Sequence, residues 1–392
     1  MATITRTETR LQKTRPAEKT GITNVLITGA RGFLGRNLAA HLNERKGYRL
    51  SIASKEESIE SLRRMLIEAD IIFHLAGVNR PADSSDFARV NTGLTEQICN
   101  VLDQNGRAPK IIFSSSVQAA LDNPYGVSKR NAEEALLAYA RKTGACVRIY
   151  RLSNLFGKWC RPGYNSVTAT FCHHIANDLP IEISDPARAI ELSYVDDVVR
   201  AFVTEIAEDC SEASAVPEIP AYSIQLGDLA GRIQAFHDFR ATLTLPDFAE
   251  PFNRALYATY LSYVPPAARE HKLAKHTDAR GSLAEFIKQQ HMGQVFVSRT
   301  KPGITRGNHY HHTKAEKFLV VEGKGLIRMR PVEGGPIEEY PVVGSDFHVI
   351  NIPPGYTHSI TNIGSGDMVT LFWSSEIFDP NNPDTYFLPV DA

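Results

Sequence analysis

Two groups of residues, one near each end of this 392-residue chain, have the types and spacing that chemistry needs. Near the start, the apolar run Val25–Thr28 leads into glycines spaced G-x-x-G-x-x-G. Near the end, His309-x-His311-x4-Glu316 is followed by a second motif that contains His358. A glycine turn after a strand suits a dinucleotide pyrophosphate, whereas clustered imidazole and carboxylate groups suit a divalent metal ion. Together they suggest two successive steps on one substrate.

The glycine-rich turn predicts a nucleotide site because its three glycines do separate jobs. One permits the tight strand-to-helix turn, one lets the backbone approach a pyrophosphate, and one allows close packing of helix on strand. The following helix would offer its free N–H groups and positive end to the phosphates. The cofactor-binding residues predicted in this turn are Gly29, Arg31, Gly32, Phe33, Leu34 and Gly35.

The choice of cofactor depends on the end of the second predicted strand, where an acid normally binds the adenosine ribose of NAD. Ser54 and Lys55 stand there, with no acid before Glu56, and Arg31 lies in the glycine turn. A missing acid and two cations favour the 2′-phosphate of NADPH; the alternative is that both cations are merely solvated. We expect NADPH, with Ser54 and Lys55 among its contacts.

A proton-transfer site is predicted where the serine-rich strand end Ser114–Ser116 precedes a helix that opens with Tyr125-x3-Lys129. Residues four apart share one face of a helix, so Tyr125 and Lys129 can reach one ligand. An ammonium group beside the phenol would favour the phenolate and lower a pKa that is about 10 in free tyrosine. A serine hydroxyl can hold a substrate oxygen while Tyr125 donates or takes its proton.

The elements that must position the first group alternate between strand and helix. Apolar β-type runs separated by helical patterns predict a parallel sheet covered on both faces, which is a doubly wound α/β Rossmann-type domain. The predicted strands are 24–28, 48–54, 71–75, 110–114 and 147–150.

Beyond residue 271 the pattern changes to short β-rich runs punctuated by Gly and Pro, typical of a small antiparallel barrel or sandwich. The predicted strands there are 294–299, 318–321, 326–330, 347–352 and 369–373. We therefore divide the chain into a mobile leader at 1–20, the Rossmann-type domain at 21–250, a connector at 251–270 and an all-β domain at 271–392.

Composition and charge exclude several classes of protein. A net charge of −1 gives the chain no excess of positive charge for binding nucleic acid or an anionic membrane surface. The sequence lacks an apolar stretch of about 18 residues for a spanning helix, and residues 1–20 lack the apolar region of a secretory signal. Five scattered cysteines without a C-x-x-C pair fit a reducing compartment. We expect a cytoplasmic protein without membrane insertion or a nucleic-acid partner.

The N-terminal part of the chain, roughly 24–245, resembles the extended short-chain dehydrogenase/reductase family. The matching stretches are Thr28–Gly35, His74–Gly77, the set Ser116, Tyr125 and Lys129, and Tyr194–Val198. The resemblance implies that Ser116 is the catalytic serine beside Tyr125 and Lys129, with Ser115 as the alternative. Tyr125 follows Ser116 by only nine positions, fewer than in most relatives. We expect an unusually open or differently covered pocket.

The same resemblance implies further contacts with cofactor and substrate. Leu75, Ala76 and Gly77 would join the cofactor site. In that family the segment corresponding to Arg151–Asn165 approaches a nucleotide-sugar, although a polar surface loop is the alternative for any single residue. The substrate contacts predicted in this segment are Asn154, Lys158, Arg161 and Asn165.

The histidine-rich group predicts a metal site. His309 and His311, two apart on a strand, would project from the same face. Glu316 and His358 can join them if the barrel brings the second motif alongside. Three imidazoles and a carboxylate suit Zn, Fe, Mn or Ni, and ligand identity alone does not decide among these metals. We expect zinc.

This spacing resembles the cupin superfamily, whose fold is a jelly-roll barrel, over roughly 272–392. The match departs from the family at Phe347, where a glycine would open the second motif. The stretch Arg306–His309 also resembles metal-free sugar-nucleotide 3,5-epimerases of the rhamnose pathway, whose residue at this place is a catalytic base. The partner histidine and glutamate favour a metal here. Candidates for diphosphate contacts by bidentate hydrogen bonds are then Arg280 and Arg306.

The two halves together resemble the bifunctional capsular and O-antigen enzymes of UDP-N-acetyl-L-fucosamine synthesis, through Lys301–Lys317 and Phe378–Leu388. The resemblance implies that the cupin domain epimerises C3 of a UDP-2-acetamido-2,6-dideoxy-4-hexulose. The reductase domain would then reduce C4 with NADPH, giving UDP-2-acetamido-2,6-dideoxy-L-talose. The C3 base stays open among His312, Lys314 and a hydroxide held by the metal. Members of both families are often dimers, and we expect a homodimer.

Two alternative functions stay open at this point. The cupin domain could be a structural or dimerising module, which would leave a plain nucleotide-sugar 4-keto reductase. Zinc without an open coordination position would favour that reading. Alternatively, the first domain could be an epimerase or dehydratase that retains NAD. Tight cofactor co-purification would favour this, and the missing acid after the second strand argues against it.

Overall fold

The chain folds into two compact units in a computed structural model. The residues described are 22–81, 83–208 and 219–392. One unit contains the described residues up to 233 together with 255–264, and the other contains 234–254 and 265–392. The predicted leader, 1–20, lies outside the described residues, and the predicted domain limits stay predictions.

The first unit opens with strands and helices in strict alternation. In chain order these are β1 (Thr23–Thr28), α1 (Phe33–Asn43), β2 (Tyr48–Ala53), α2 (Ile59–Glu68), β3 (Ile71–His74), a π-helical turn (Phe87–Thr92) that runs into α3 (Gly93–Gln104), β4 (Lys110–Ser116), α4 (Pro124–Thr143) and β5 (Val147–Leu152). Within the part of the chain that the structure describes, the five strands form a parallel sheet in the order β2-β1-β3-β4-β5. This confirms the doubly wound Rossmann-type prediction.

Both faces of this sheet are covered, as the continuous apolar strands predicted. Val25 and Ile27 pack into a core cluster with Leu38 of α1, whereas Leu26 packs into a separate cluster with Leu66 of α2. Successive side chains of a strand point to opposite faces, so β1 supplies both clusters at once. The register pairs Thr28 with the last residues of β2 and β3, so these carboxyl ends align where the glycine turn begins.

The remainder of this unit and the neighbouring segments add a small sheet and several helices. These elements are β6 (Asn154–Phe156), α5 (Val167–Ala176), β7 (Ala189–Tyr194), α6 (Val195–Glu205), β8 (Tyr222–Gln225), α7 (Leu226–His237), α8 (Phe239–Thr242) and α9 (Pro251–Leu261). Strand β7 lies between β6 and β8. Among the described residues, no helix is both long and apolar enough to cross a bilayer.

The second unit is built on antiparallel strands. They are β9 (Lys275–Asp278), β10 (Gly281–Gln289), β11 (Gly293–Thr300), β12 (Thr305–Tyr310), β13 (Glu316–Glu322), β14 (Lys324–Pro331), β15 (Glu338–Val343), β16 (Val349–Ile352), β17 (Tyr356–Asn362), β18 (Met368–Ser374) and β19 (Tyr386–Phe387). Over the described residues they form two sheets, ordered β16-β13-β18-β11-β10-β9 and β15-β14-β17-β12-β19. A core that includes Phe318, Ile327 and Ile360 draws on both sheets. The all-β cupin prediction is therefore confirmed.

Candidate active sites

The glycine turn between β1 and α1 forms a cradle that side chains would fill. Gly29 adopts a φ of +70°, and a Cβ there would lie 2.7 Å from the Ala76 Cα. A Cβ on Gly35 would lie 2.6 Å from the Ala30 Cα, so this glycine allows the close helix–strand packing. Gly32 precedes α1 and gives no side-chain cap, which leaves the first N–H groups of the helix available for an anion.

A cavity of about 920 Å³ opens beside this turn, within the range of ligand pockets. It extends from the glycine turn past the end of β4 to the segment after β6. The predicted site residues that line it are Gly29, Arg31, Gly32, Phe33, Leu34, Gly35, Leu75, Gly77, Ser116, Tyr125, Lys129, Asn154, Arg161 and Asn165. The structure thus brings the predicted cofactor turn and proton-transfer set to one cavity.

Four contacts predicted in the Rossmann-type domain do not line the cavity: Ser54, Lys55, Ala76 and Lys158. The Lys158 ammonium lies 2.6 Å from Asp196 Oδ1, which also pairs with His41 Nε2 at 2.9 Å. The Ala76 N–H donates to Thr28 Oγ1 at 3.2 Å. Lys158 and Ala76 therefore have internal partners that account for their positions.

Glu56, which the sequence analysis named only as the first acid after the second strand, pairs with the cofactor turn. Its Oε2 lies 3.2 Å from Arg31 Nη1, and both side chains are largely exposed, at 56% and 75%. A hydrogen bond from Ser54 and the charge of Arg31 lower the pKa of Glu56. An exposed ion pair of this kind contributes little to stability, so Arg31 can exchange this carboxylate for a phosphate. The signal in the sequence was the acid placed directly after Lys55.

The end of β4 and the start of α4 assemble the proton-transfer set. The Ser116 side chain hydrogen-bonds the Tyr125 hydroxyl, and the Lys129 ammonium donates to the Ser114 carbonyl at 2.7 Å. Burial raises the pKa of Tyr125 more than the Ser116 hydrogen bond lowers it. The expected lowering of this pKa by Lys129 is wrong for this arrangement, because burial dominates and the ammonium is directed to a backbone carbonyl.

A buried glutamate continues the helical spacing after Lys129. Glu133 is 5% exposed and accepts hydrogen bonds from the Ser115 hydroxyl and from Arg151 Nη2, the latter at 2.6 Å. Burial lowers the pKa of Lys129 to about 8, and the negative charge of Glu133 opposes that shift. The Ser115 hydroxyl therefore has a structural partner, whereas Ser116 faces Tyr125. Sequence reasoning missed Glu133, although its spacing of four from Lys129 was the available signal.

The short link between Ser116 and Tyr125 is accommodated by a tight turn and one glycine. A single turn of 3₁₀-helix, Val117–Ala120, follows β4, and Asn123 Oδ1 caps α4 by accepting the Gly126 N–H at 2.8 Å. A Cβ on Gly126 would lie 2.5 Å from the Leu121 carbonyl oxygen. Gly126 therefore lets the helix pack directly on the turn, which places Tyr125 beside the strand end without an intervening loop.

In the barrel, the four predicted metal ligands converge. Their candidate ligand atoms all lie within 4.8 Å of one another. His309 lies on β12 and pairs with His358 on β17. His311 comes directly after β12, and Glu316 is the first residue of β13. His311 and His358 are 3% and 0% exposed. Because β13 belongs to one sheet and β12 and β17 to the other, the cluster draws ligands from both sheets.

The hydrogen bonds of the imidazoles fix which nitrogens face the cluster. His311 Nδ1 donates to the Asp384 carbonyl at 2.5 Å, and His358 Nδ1 donates to the Tyr356 carbonyl at 3.2 Å. In the neutral rings both Nε2 atoms therefore carry the lone pairs. They lie 3.4 and 3.1 Å from Glu316 Oε2 and are buried without a hydrogen-bond partner. Adjacent buried acceptors repel one another unless a cation lies between them, so the residues fit a metal ion.

The protonation states also suit metal binding. Burial, followed by the charge of His358, lowers the pKa of His309 to about 4. Burial alone would raise the pKa of Glu316, but hydrogen bonds and positive charge on the facing side of the His311 and His358 rings outweigh it and lower that pKa, as a bound cation would. At neutral pH His309 is therefore neutral and Glu316 charged, the states that ligate a metal.

Gly307 in the first cupin motif and Phe347 in the second both have a positive φ. Gly307 has a φ of +97°, and a Cβ there would lie 2.7 Å from the His358 carbonyl oxygen, so glycine permits the close approach of β12 and β17. Phe347, at the position where the family places glycine, has a φ of +50° and is 64% exposed. The departure from the motif therefore leaves a bulky residue in the left-handed region, which is unfavourable for L-residues.

The two arginines predicted to bind a diphosphate, Arg280 and Arg306, influence each other's charge. Asp278 pairs with Arg280 through two N–H groups at 2.6 and 2.8 Å. Arg306 Nε donates to Thr300 Oγ1 at 3.0 Å. Burial, then the charge of Arg280, lowers the pKa of Arg306. One acid beside two guanidinium groups leaves positive charge for an anionic ligand.

The two side chains considered as a C3 base have different surroundings. The Lys314 side chain is buried, and its ammonium donates to the Pro383 carbonyl at 3.0 Å. His312 is exposed, with its ring 5.3 and 4.8 Å from the rings of Tyr310 and Tyr386. Lys314 therefore already has a structural partner, whereas His312 is accessible.

Comparisons with known proteins match the two parts of the chain to two different families. Residues 25–215 match the NAD dependent epimerase/dehydratase family, and residues 276–386 match the polysaccharide biosynthesis C-terminal domain. A Bacillus subtilis spore coat polysaccharide biosynthesis protein, SpsL, is 24% identical over 130 residues, which are 31% of this chain and 86% of that protein.

Two further matches span nearly the whole chain. The crystal structure of the capsular polysaccharide assembling protein CapF from Staphylococcus aureus has a TM-score of 0.87 and 46% identity, covering 94% of this chain and 100% of that one. A UDP-2-acetamido-2,6-beta-L-arabino-hexul-4-ose reductase of Pseudomonas aeruginosa is 44% identical over 366 residues, 93% of this chain and 98% of that protein. The chain therefore belongs to the family of UDP-2-acetamido-2,6-beta-L-arabino-hexul-4-ose reductases.

Proposed function

We propose that this protein is a bifunctional UDP-sugar enzyme of surface polysaccharide synthesis. Its barrel epimerises C3 of a UDP-2-acetamido-2,6-dideoxy-4-hexulose. Its Rossmann-type domain then reduces C4 to give UDP-2-acetamido-2,6-dideoxy-L-talose. The observation that carries the reductase step is the full-length match to a reductase of such a 4-hexulose. The epimerase step is our addition, and the buried cluster of three imidazoles and a carboxylate supports it.

The reduction follows from the set at the end of β4. When bound, the nicotinamide cofactor supplies the hydride. Tyr125 donates the proton to the C4 oxygen, because burial raises its pKa and keeps the phenol protonated at neutral pH. Ser116 orients the same oxygen, and Lys129 stays charged below about pH 8. Ser115 is not assigned this role since its hydroxyl is bonded to Glu133.

We assign NADPH as the cofactor that this turn prefers. Arg31 lines the cavity and has only a solvent-exposed pairing with Glu56 to exchange for a 2′-phosphate. A hydrogen bond to a charged group is worth about 1.5–3 kcal/mol, so Arg31→Ala is expected to lower kcat/KM for NADPH by about 10- to 100-fold. The value for NADH should change little. Equal losses with both cofactors would contradict the assignment.

The epimerisation depends on the acidity of C3, which adjoins the C4 ketone. Removal of the C3 proton gives an enolate, and return of a proton to the opposite face inverts the centre. A divalent metal, for which we propose zinc, would stabilise the developing negative charge as a Lewis acid. His309, His311, Glu316 and His358 would hold it. Between the two side chains considered as the base, His312 is favoured because Lys314 is already hydrogen-bonded.

The remaining predicted contacts are assigned to the UDP-sugar. Asn154, Arg161 and Asn165 line the reductase cavity. Arg280 and Arg306 supply positive charge in the barrel unit, where a diphosphate would accept their hydrogen bonds. A cytoplasmic homodimer remains our expectation from the sequence.

The decisive experiment is incubation with the 4-keto sugar nucleotide in deuterated water, with and without NADPH, before and after chelation. We expect deuterium at C3 without NADPH, lost after chelation and lost in His311→Ala. If NADPH is consumed without any exchange at C3, the protein is a plain reductase with a structural barrel. NAD that co-purifies and turns over without added NADPH would instead favour an NAD-retaining epimerase or dehydratase.

A further inference from the structure

The segment near the C-terminus contacts the histidine cluster through the backbone of one residue. The Asp384 carbonyl accepts the His311 Nδ1 hydrogen at 2.5 Å, across 73 positions of sequence. A metal-ligating imidazole generally gives its second N–H to a carbonyl or carboxylate, which fixes the tautomer and the ring orientation. Asp384 supplies that partner for His311.

The side chain of Asp384 holds the turn that follows His311. Its carboxylate accepts the backbone N–H groups of His312, Thr313 and Lys314 at 2.9, 3.0 and 3.1 Å. The Thr313 hydroxyl also donates to it, at 3.1 Å. Burial is the largest single influence and opposes ionisation, but these donors together outweigh it and lower the pKa of Asp384. One residue therefore fixes both the ring of His311 and the backbone beyond it.

The segment is also fastened on either side of Asp384. Lys314 donates to the Pro383 carbonyl and to Thr385 Oγ1, at 3.0 and 3.3 Å. Strand β19 pairs with β12, where Phe387 lies opposite His309. The Leu388 N–H then donates to the Asn308 carbonyl at 2.9 Å. The segment thus closes over the strand that carries the first ligand.

We propose that residues 383–387 form a clip that is the outer shell of the metal centre, with Asp384 as a positioning residue for His311. This inference rests on the metal site of the proposed function and adds to it a segment outside the ligand motifs. The clip holds the His311 Nε2 lone pair toward Glu316 before any ion arrives. Loosening it frees the imidazole to rotate or change tautomer, which weakens metal binding without removing a ligand.

The test is zinc affinity, measured in the full chain by competition with a chromophoric chelator. Losing an outer-shell partner costs about 10- to 100-fold in metal affinity. Asp384→Ala keeps the carbonyl that accepts from His311 but releases the turn at 312–314 that the carboxylate holds, so we expect a loss near the lower end of that range. Asp384→Asn keeps one acceptor oxygen and should lose less. The matched control is Asp379→Asn, an exposed acid nearby in the sequence whose carboxylate accepts the local Asn381 N–H; this variant should bind zinc as the unaltered protein does.

A second variant guards against simple misfolding. Lys314→Met removes the bonds to Pro383 and Thr385 but leaves the Asp384 carboxylate intact, and it should speed zinc dissociation. Amide hydrogen exchange at 312–314 should accelerate in Asp384→Ala. Faster exchange with unchanged zinc affinity and dissociation in both variants would overturn the clip. If the unaltered protein binds no zinc, the proposed metal site itself fails.

Discussion

The two candidate sites differ in how far apart in sequence their parts lie. The proton-transfer set comes from residues 114–133, one strand end and the helix directly after it. The histidine cluster comes from residues 309–358, and its outer partner is Asp384. A strand followed by a helix fixes local geometry early, whereas the barrel site exists only after several strands have paired. The first site is thus a product of local structure and the second of topology.

They also differ in how fully their polar groups are satisfied. In the first site the Lys129 ammonium has the Ser114 carbonyl, and Glu133 has Ser115 and Arg151. In the barrel, two buried imidazole nitrogens face a carboxylate without a hydrogen-bond donor. Buried acceptors in this arrangement are costly unless a cation joins them. The proton-transfer site therefore has its polar groups satisfied within the protein, whereas a metal site has buried acceptors that only a bound cation satisfies.

The largest expected effect separates the two sites. Tyr125→Phe removes the proton donor while leaving the ring in place, so NADPH-dependent reduction should fall by about 10²- to 10⁴-fold. Steady-state oxidation of NADPH measures this loss. Deuterium exchange at C3 should persist, because the barrel cluster contains no part of α4. Loss of exchange as well would mean that the two sites do not act independently.

A second prediction concerns dependence on topology. Gly307→Ala changes no ligand, but its Cβ would meet the His358 carbonyl oxygen at 2.7 Å and force β12 away from β17. We expect zinc affinity, measured by chelator competition, to fall by about 10-fold, similar to losing an outer-shell partner. The control is Gly303→Ala, which has a similar positive φ of +72° but open space around its Cβ. Equal losses in both variants would point to backbone strain alone.

A third prediction concerns the local site and the pH dependence of reduction. Burial lowers the pKa of Lys129 to about 8, and Glu133 opposes that shift. Glu133→Gln removes the opposing charge, so Lys129 should lose its proton at lower pH. The alkaline limb of the pH profile of kcat should therefore shift to lower pH. A shift of one pH unit means a roughly 5-fold lower rate at pH 8. The neighbouring exposed Glu134→Gln is the control and should keep the limb in place. An unmoved limb in Glu133→Gln would exclude Lys129 as its origin.

The smallest effect concerns the departure from the cupin motif. Phe347 is exposed and has a φ of +50°, so its side chain contributes little packing to offset an unfavourable backbone. A left-handed conformation costs an L-residue about 1–2 kcal/mol, and glycine avoids this cost. Part of the gain is offset because glycine loses more conformational entropy when the chain folds. Phe347→Gly should therefore raise the free energy of unfolding by about 1 kcal/mol, as read from denaturant titration. A decrease would mean that the aromatic ring stabilises the fold.

The sequence predicted the first domain more completely than the second. The runs at 24–28 and 71–75 closely match β1 and β3, because continuous apolar content marks a doubly covered sheet. In the barrel the strands β9, β10, β15, β17 and β19 were not among those predicted. For the edge strands β9 and β15 the reason is that KHTD and EEYPVV are largely polar or exposed. Edge strands receive their structure from a partner strand, and that partner is not visible in the local sequence.

The candidate sites divide in the same way. The predicted cofactor turn and the Tyr125–Lys129 spacing were local patterns, and the structure brings them to one cavity. The spacing did not reveal that burial would raise the pKa of Tyr125, nor that Glu133 would engage Ser115. Both depend on what packs around the helix, and desolvation is a property of the folded environment.

The sequence by itself determined the residue types at both sites, the glycines that let backbones approach, and the alternation that produces a parallel sheet. It also determined the family, through motifs that are short and local. Only the tertiary structure decided that Ser116 faces Tyr125, that Lys158 pairs with Asp196, and that Asp384 holds His311. Local spacing is set by the geometry of one helix or strand, whereas these pairings depend on chain segments that become neighbours only when the sheets and helices pack together.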